Sequence, residues 1–381
     1  MERKLRWDPY VMIKNNEFDS FFSQHLPKAN QALYIMGKGF DSRMNLAIKK
    51  IQELQVDTKI DCLLVEYDQG RTSSATNYKQ LVETNLDLLK SVLGDNKLTT
   101  KTIKMWEGKG RNKRKIASRQ ASDNIISTFE DIKDYPTVIV DISSIPRSIY
   151  FSLIGKIMFL IDRDENELKK NFIIIVAENS ALDGNIQGKE VETDLDYSRG
   201  FGGGLDLSHD SPVIWLPILG ENKNAHIDKA FRFIDPDELC PILPFPSKNP
   251  RRGDNMIIEY HKLLFEELLV EPQNIMYVSE QNPFDTYRKI CSTIARYKES
   301  MQSLGDCRAA ISTFSSKLLS IGALLAAYDL NHPINNEPKI GVGVVNVDSP
   351  DYEILDLNSL EESAQNSELF VIWLTGEPYH E

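Results

Sequence analysis

Residues 31–43 read Gln-Ala-Leu-Tyr-Ile-Met-Gly-Lys-Gly-Phe-Asp-Ser-Arg, and the fold follows from this stretch. Gln31–Met36 is a short, nearly continuous apolar run, which suits a strand buried on both faces. Gly37 and Gly39 break it. Behind them Met44, Ile48, Ile51 and Leu54 recur at helical spacing, so a helix is expected over about 42–54. Asp61–Tyr67 is a second apolar strand. A helical pattern follows over 77–93, and Thr99–Trp106 can form a third strand. Strand, helix, strand, helix, strand is the rhythm of a parallel sheet with covering helices.

A second series begins at Thr137–Ile142. It continues through Phe172–Ala177, Val213–Leu216, Ile275–Ser279, Ala309–Thr313, Ile340–Val347 and Leu369–Leu374. The clearest helical patterns between these runs are Ser148–Ile161, Asp254–Leu269, Phe284–Met301 and Ser315–Tyr328. A boundary is expected between Arg119 and Pro136, where a helix over Ala121–Phe129 ends in Lys-Asp-Tyr-Pro. The expected class is α/β, with two Rossmann-like, doubly wound, mainly parallel sheets. The smaller domain would cover 1–130 and the larger 131–381. No internal repeat of the solenoid kind is visible. The segment 178–212 reads as a long polar loop.

Composition narrows the class. The chain has 381 residues, 44 Lys+Arg and 56 Asp+Glu, for a formal charge of −12. With 41% hydrophobic and 26% charged residues, it is neither disordered nor a collagen or disulfide scaffold. Cys62, Cys240, Cys291 and Cys307 show no C-x-x-C pair and no zinc spacing. The N-terminus lacks an apolar signal core. No apolar run approaches the roughly 20 residues of a membrane span. A cytoplasmic protein without membrane contact and without a metal site is expected.

In open parallel sheets, ligands sit beyond the carboxyl ends of the strands, where helix N-termini attract anions. Four turns fall there. Gly37, Lys38, Gly39, Asp41, Ser42 and Arg43 form the first. It can be a tight turn with a capped helix, or a cradle for a phosphate or carboxylate. Asp141, Ser143, Ser144 and Arg147 belong to the second, in which Pro146 is expected at the first helical position. Arg147 opposes the helix dipole there, so an anion nearby is expected. Ser315, Ser316 and Lys317 start an apolar helix as the third, either as a cap with Ser315 in that place or as an anion site. Gly322 inside that helix predicts close packing against a neighbour or a ligand. Ser279–Arg288, the fourth, reads as capping by Asn282 and Asp285. The glycine-rich loop Arg199–Gly204 is a crossover, a lid or a phosphate wrap. Arg251 and Arg252 are solvated or reach an acidic partner.

Residues 97–119 carry nine Lys/Arg against Glu107 alone, a local charge of +8, which leaves −20 for the rest. Trp106, Lys109, Arg111, Lys113, Arg114 and Lys115 are its candidate contacts with nucleic acid or a protein partner. A solvated loop is the plain alternative. Among the histidines, His209 follows the glycine loop with Asp206 and Asp210 beside it, and is the candidate for acid–base work.

The strand followed by Gly37-Lys-Gly-Phe-Asp-Ser42 resembles the first unit of the PP-loop and wider HUP nucleotide-binding domains, whose strand leads into S-G-G-x-D-S. Gly37, Asp41 and Ser42 are the matching positions. The first Ser is lost and Lys38 interrupts the glycine pair. Together, Gly37–Arg43 and Asp141–Arg147 are also similar to Rossmann-like proteins of bacterial anti-phage defence gene clusters. That resemblance implies a subunit that senses a nucleotide or nucleic acid and acts with a partner effector in a complex. The alternatives are a nucleotide-processing transferase or hydrolase using Asp41 or Asp141 with Mg2+, and a non-catalytic interaction scaffold.

Overall fold

The computed structural model describes residues 3–68, 77–108, 114–164, 169–188, 191, 195–205, 211–302, 307–334, 337–349 and 352–379. The chain forms two compact units, and both are discontinuous. One comprises Pro9–Glu190 and Ser349–Glu381, the other Met1–Asp8 and Val191–Asp348. The expected boundary at 130 is therefore corrected. Thr137–Asp141 and Asn171–Glu178 hydrogen-bond into the same sheet as Gln31–Gly37, so the first unit runs far past that point. The rhythm of elements hid this, because a parallel sheet can always take another strand–helix pair.

The first unit holds a seven-stranded sheet. Across it lie Val11–Lys14, Glu368–Thr375, Asn171–Glu178, Thr137–Asp141, Gln31–Gly37, Lys59–Asp68 and Leu98–Lys104. The last five are mutually parallel. Glu368–Thr375 runs antiparallel to its neighbours, so this sheet is mixed. Counted along the chain, the five parallel strands stand in the order 3-2-1-4-5. Gln31–Gly37 and Asn171–Glu178 are buried along nearly their whole length, as strands covered on both faces must be. One face carries Phe18, Phe22, Ile48, Ile51 and Leu89 over Tyr34, Ile173 and Trp373.

The second unit repeats the order. Met276–Val278, Ile242–Pro244, Val213–Ile218, Arg308–Thr313 and Val342–Val344 are parallel neighbours in that sequence, with Glu238–Leu239 pairing beside Val213–Ile218. Again the chain order is 3-2-1-4-5. Both units are Rossmann-like α/β folds. The helix Lys317–Asn331 is apolar nearly all round and is buried except at its first residue, as such a helix must be. A Cβ at Gly322 would overlap the Pro283 carbonyl and Thr286 of the helix Pro283–Met301. The glycine thus serves a helix–helix contact rather than a ligand.

Three other expectations change. Arg199–Gly204 is not a lid. Ser198 N–H donates to the Val344 carbonyl and Val344 N–H to the Phe201 carbonyl, both at 2.8 Å, so the loop closes the edge of the second sheet. The polar loop 178–212 contains a helix, Ser180–Asn185, and a strand, Ile186–Gly188. Residues 121–129, read as one helix, are a π turn, Ala121–Ile125, and a 3-10 turn, Phe129–Asp131. Among the described residues no helix is long and apolar enough to cross a membrane. All four cysteines are buried and free.

Candidate functional site

In a 3-2-1-4-5 sheet the strand order reverses between the first and fourth strands, and the crevice beyond their carboxyl ends is the usual ligand position. In the first unit these strands are Gln31–Gly37 and Thr137–Asp141, with Met36 opposite Asp141. The two loops that sequence reasoning placed in separate domains therefore lie side by side. Ser144 Oγ donates to the Gly37 carbonyl at 2.8 Å. Asp141 is 1% exposed and faces inward, accepting from Tyr34 Oη at 2.7 Å and from Ser143 N–H at 2.9 Å. Burial, reinforced by Asp141, raises the Tyr34 hydroxyl well above its ordinary pKa. Ser143 Oγ in turn accepts from Ala177 N–H at 2.9 Å.

Asp41 and Arg43 answer each other. Asp41 caps the 3-10 turn Ser42–Asn45 through Arg43 N–H at 3.0 Å. Its carboxylate also takes Nε and Nη2 of Arg43, the latter at 2.7 Å. Nη1 of Arg43 reaches Asp183 at 2.8 Å, on the helix Ser180–Asn185. Burial works to lower the Arg43 pKa, but Asp41 and Asp183 outweigh it and raise it above its ordinary value. The guanidinium is thus committed to holding the turn.

Around this core lie further polar groups. Lys38 pairs with Glu66, which also accepts from Thr102 Oγ1 at 3.0 Å. The Lys38 hydrogen bond holds the Glu66 carboxyl below its ordinary pKa, against an opposing pull from burial, and Thr102 adds to the lowering. A Cβ at Gly37 would overlap Tyr67 Oη and lie 2.9 Å from the Ser144 carbonyl. At Gly39 the nearest atom, Ser144 Cβ, would be 3.8 Å away, so this glycine has room. The Tyr67 hydroxyl is buried and has no hydrogen-bond partner. Burial, with Asp141 nearby, raises its pKa far above the ordinary value. Pro146 stands one place earlier than expected, as N-cap of the helix Arg147–Asp162, and no side chain caps that helix. Half-buried Ser144 precedes this helix and half-buried Arg147 begins it, and Ser144 lies against the Gly37 loop.

A small hydrophobic cluster adjoins the Gly37–Arg43 loop through Phe40. Phe40 packs on Tyr78 at 5.0 Å and on the cluster of Leu182, Ile354, Leu360 and Ala364. Ile354 N–H donates to Tyr78 Oη at 2.9 Å.

Ser315, Ser316 and Lys317 belong to the second unit. There Ser316, rather than Ser315, is the N-cap, accepting from Leu319 N–H at 3.3 Å. A Cβ at Gly220 would run into the Phe314 backbone across this reversal. The loop behind Gly220 is held by protein groups: Asn222 N–H donates to Glu259 and Lys223 N–H to Tyr260 Oη, while Tyr260 Oη donates to the Gly220 carbonyl. Arg252 binds Glu221 and Glu280 of its own unit. Asn282 caps its helix, as read from sequence.

His209, Lys109, Arg111 and Lys113 lie outside the described residues. Trp106–Glu107 pairs antiparallel with Arg114–Lys115, and Arg114 binds Glu107 at 2.7 Å. No group of three or more His, Cys, Asp or Glu able to hold a metal occurs among the described residues. The acids named for Mg2+ do not fit that ion, since Asp41 is engaged by Arg43 and Asp141 by Tyr34 and Ser143. Sequence reasoning missed Tyr34, Glu66, Tyr67 and Asp183. A signal existed for two of them, because the apolar run Cys62–Val65 ends in the polar pair Glu66-Tyr67.

No family model matches the chain, and no curated protein matches it. Similar solved structures include a putative universal stress protein from Pseudomonas aeruginosa, at 10% identity, covering 90% of this chain and 99% of that one, with a TM-score of 0.22. Another is a universal stress protein from Archaeoglobus fulgidus, at 8% identity, covering 82% and 95%, TM-score 0.22. A third is UDP-GlcNAc 2-epimerase from Neisseria meningitidis bound to UDP-GlcNAc, at 11% identity, covering 87% and 97%, TM-score 0.21. Likenesses this distant carry no argument about a site, and the Rossmann-like description rests on the strand order itself.

Proposed function

We propose that the first unit binds a phosphate-bearing ligand, a nucleotide or the end of a nucleic acid, at its strand reversal, and that the protein senses this ligand rather than converting it. The observation that carries the reading is the meeting of Gly37–Arg43 and Asp141–Arg147 at the reversal, with the Tyr67 hydroxyl buried and unsatisfied against Gly37. Buried polar groups are nearly always paired, so this hydroxyl calls for a partner from outside the chain, and a ligand atom at the reversal would supply one. Lys38, Gly39, Ser42, Ser144 and Arg147 would receive the phosphate, with the first turn of Arg147–Asp162 supplying N–H groups. Asp41 and Asp141 would position the loops. Their engagement with Arg43 and Tyr34 favours sensing over turnover. Action beside a partner effector in anti-phage defence is the setting that the resemblance of these two loops implies.

Thermal unfolding tests the reading, with ATP, GTP, NAD, cyclic oligonucleotides and short RNA or DNA, each with and without Mg2+. A ligand at 100 times its Kd adds about 2.7 kcal/mol, enough to raise Tm by a few degrees. The expected result is one ligand class that shifts Tm in the native protein and not in Arg147→Ala. No shift with any ligand, or a shift that Arg147→Ala leaves intact, overturns it.

A further inference from the structure

Four strands end the two large sheets, and three of these edges are covered or short. Val342–Val344 is covered by the loop at Ser198–Gly204. Val11–Lys14 has four residues and Met276–Val278 three. The fourth edge, Leu98–Lys104, has seven, and no described strand pairs with its outer side. Long open edges invite pairing with other chains, and natural proteins normally shorten, cover or charge them.

Two hydrogen bonds set the direction of this ladder. Cys62 N–H donates to the Lys97 carbonyl at 2.8 Å, and Met105 N–H to the Asp68 carbonyl at 3.0 Å. In a parallel ladder alternate residues face the partner strand. Thr99, Lys101 and Ile103 therefore turn their N–H and C=O groups toward Lys59–Asp68. Thr100, Thr102 and Lys104 turn theirs outward, and all three residues are exposed. Lys101 Nζ reaches inward to the Ile125 carbonyl at 2.8 Å.

Charge selects what can add here. The strand lies within the segment 97–119, with a net charge of +8, in a chain that carries −20 elsewhere. Two copies of the edge repel one another, which guards against self-pairing. The same charge attracts a strand rich in carboxylates. We infer that Leu98–Lys104 is a docking edge for an acidic, extended peptide segment of a partner protein. The segment adds as a further strand through the backbone of Thr100, Thr102 and Lys104, with its carboxylates toward Lys97 and Lys104. Such β-augmentation takes its affinity from main-chain hydrogen bonds. A nucleic acid would use the charge but not the ladder.

Fluorescence anisotropy with the full chain decides this. The probe is a labelled, end-capped peptide of about ten residues alternating glutamate and valine. It is compared with the same peptide N-methylated at alternate residues, in both registers, and with single-stranded DNA of equal charge. The unmodified peptide should bind, and one N-methylated register should weaken it roughly tenfold or more. Thr100→Pro should do the same with an unchanged circular dichroism spectrum, because Pro removes an outward donor that an edge strand can lose. Absence of peptide binding, equal binding of both methylated peptides, or tighter binding of the DNA each overturns the inference.

Discussion

The two units share a strand order and differ at its reversal. In both, an aromatic side chain on the first strand reaches a polar residue two places further along the fourth. Tyr34 donates to Asp141 at 2.7 Å, and Trp215 Nε1 donates to Ser312 Oγ at 3.0 Å. In both, a glycine lies against the neighbouring loop. Beyond that the resemblance ends. The second reversal is sealed, with Gly220 pressed on Phe314 and the following N–H groups taken by Glu259 and Tyr260. The first keeps a glycine with room, a Lys–Glu pair at partly exposed positions and an orphan hydroxyl. Topology thus supplies two crevices, and side chains decide which remains available.

The largest test of this contrast is Asp41→Ala. Arg43 is only 4% exposed, and removing one partner from a buried ion pair costs about 3–5 kcal/mol. Denaturant unfolding should show that loss for the first unit, and a change under 1 kcal/mol would mean the triad does not hold the loop. Next come the two glycines. Gly220→Ala should destabilise by about 1–3 kcal/mol through overpacking against backbone that cannot step aside. Gly39→Ala meets nothing closer than 3.8 Å and should stay within about 0.5 kcal/mol. Equal effects would erase the distinction between a sealed and an available reversal.

A smaller effect belongs to Glu66. Its folded pKa is lowered, first by the Lys38 hydrogen bond, so its contribution to stability is present above the ordinary carboxylate value of about 4.3. It is lost as pH falls through the lowered value. The stability gap between the native protein and Glu66→Gln should therefore be full at neutral pH and close in acid. Parallel pH curves for the two proteins would contradict the pairing. The gap is modest, because the Glu66 side chain is 38% exposed. Smallest of all, Tyr67→Phe should leave the ligand-free protein unchanged or slightly more stable, since it removes a buried unsatisfied group. It should nonetheless weaken any ligand that shifts Tm. A clear loss of stability without ligand would show that the hydroxyl has a structural partner after all.

Much of the architecture was readable in advance because buried parallel strands leave an unmistakable trace. Runs such as Phe172–Ala177 and the spacing of Met44, Ile48 and Ile51 report burial directly, and burial is a local property of each segment. Strands that lack such a run, Val11–Lys14 and Ile242–Pro244, went unread. Candidate turns were also found, since glycine and serine after an apolar run are local signals. Their partners were not. Asp183 meets Arg43 across 140 positions and Tyr34 meets Asp141 across 107, and no periodicity spans such distances.

The amino-acid order by itself determined the α/β class, the positions of most strands and helices, and the places where each chain segment turns. Only the tertiary structure decided which segments share a sheet, and so where each strand order reverses. It also decided that Asp41 and Asp141 are occupied while Tyr67 is not. Secondary structure follows from the pattern within a dozen neighbouring residues. Sheet order and hydrogen-bond partnership depend on which distant surfaces exclude water together, and that is fixed when the whole unit packs.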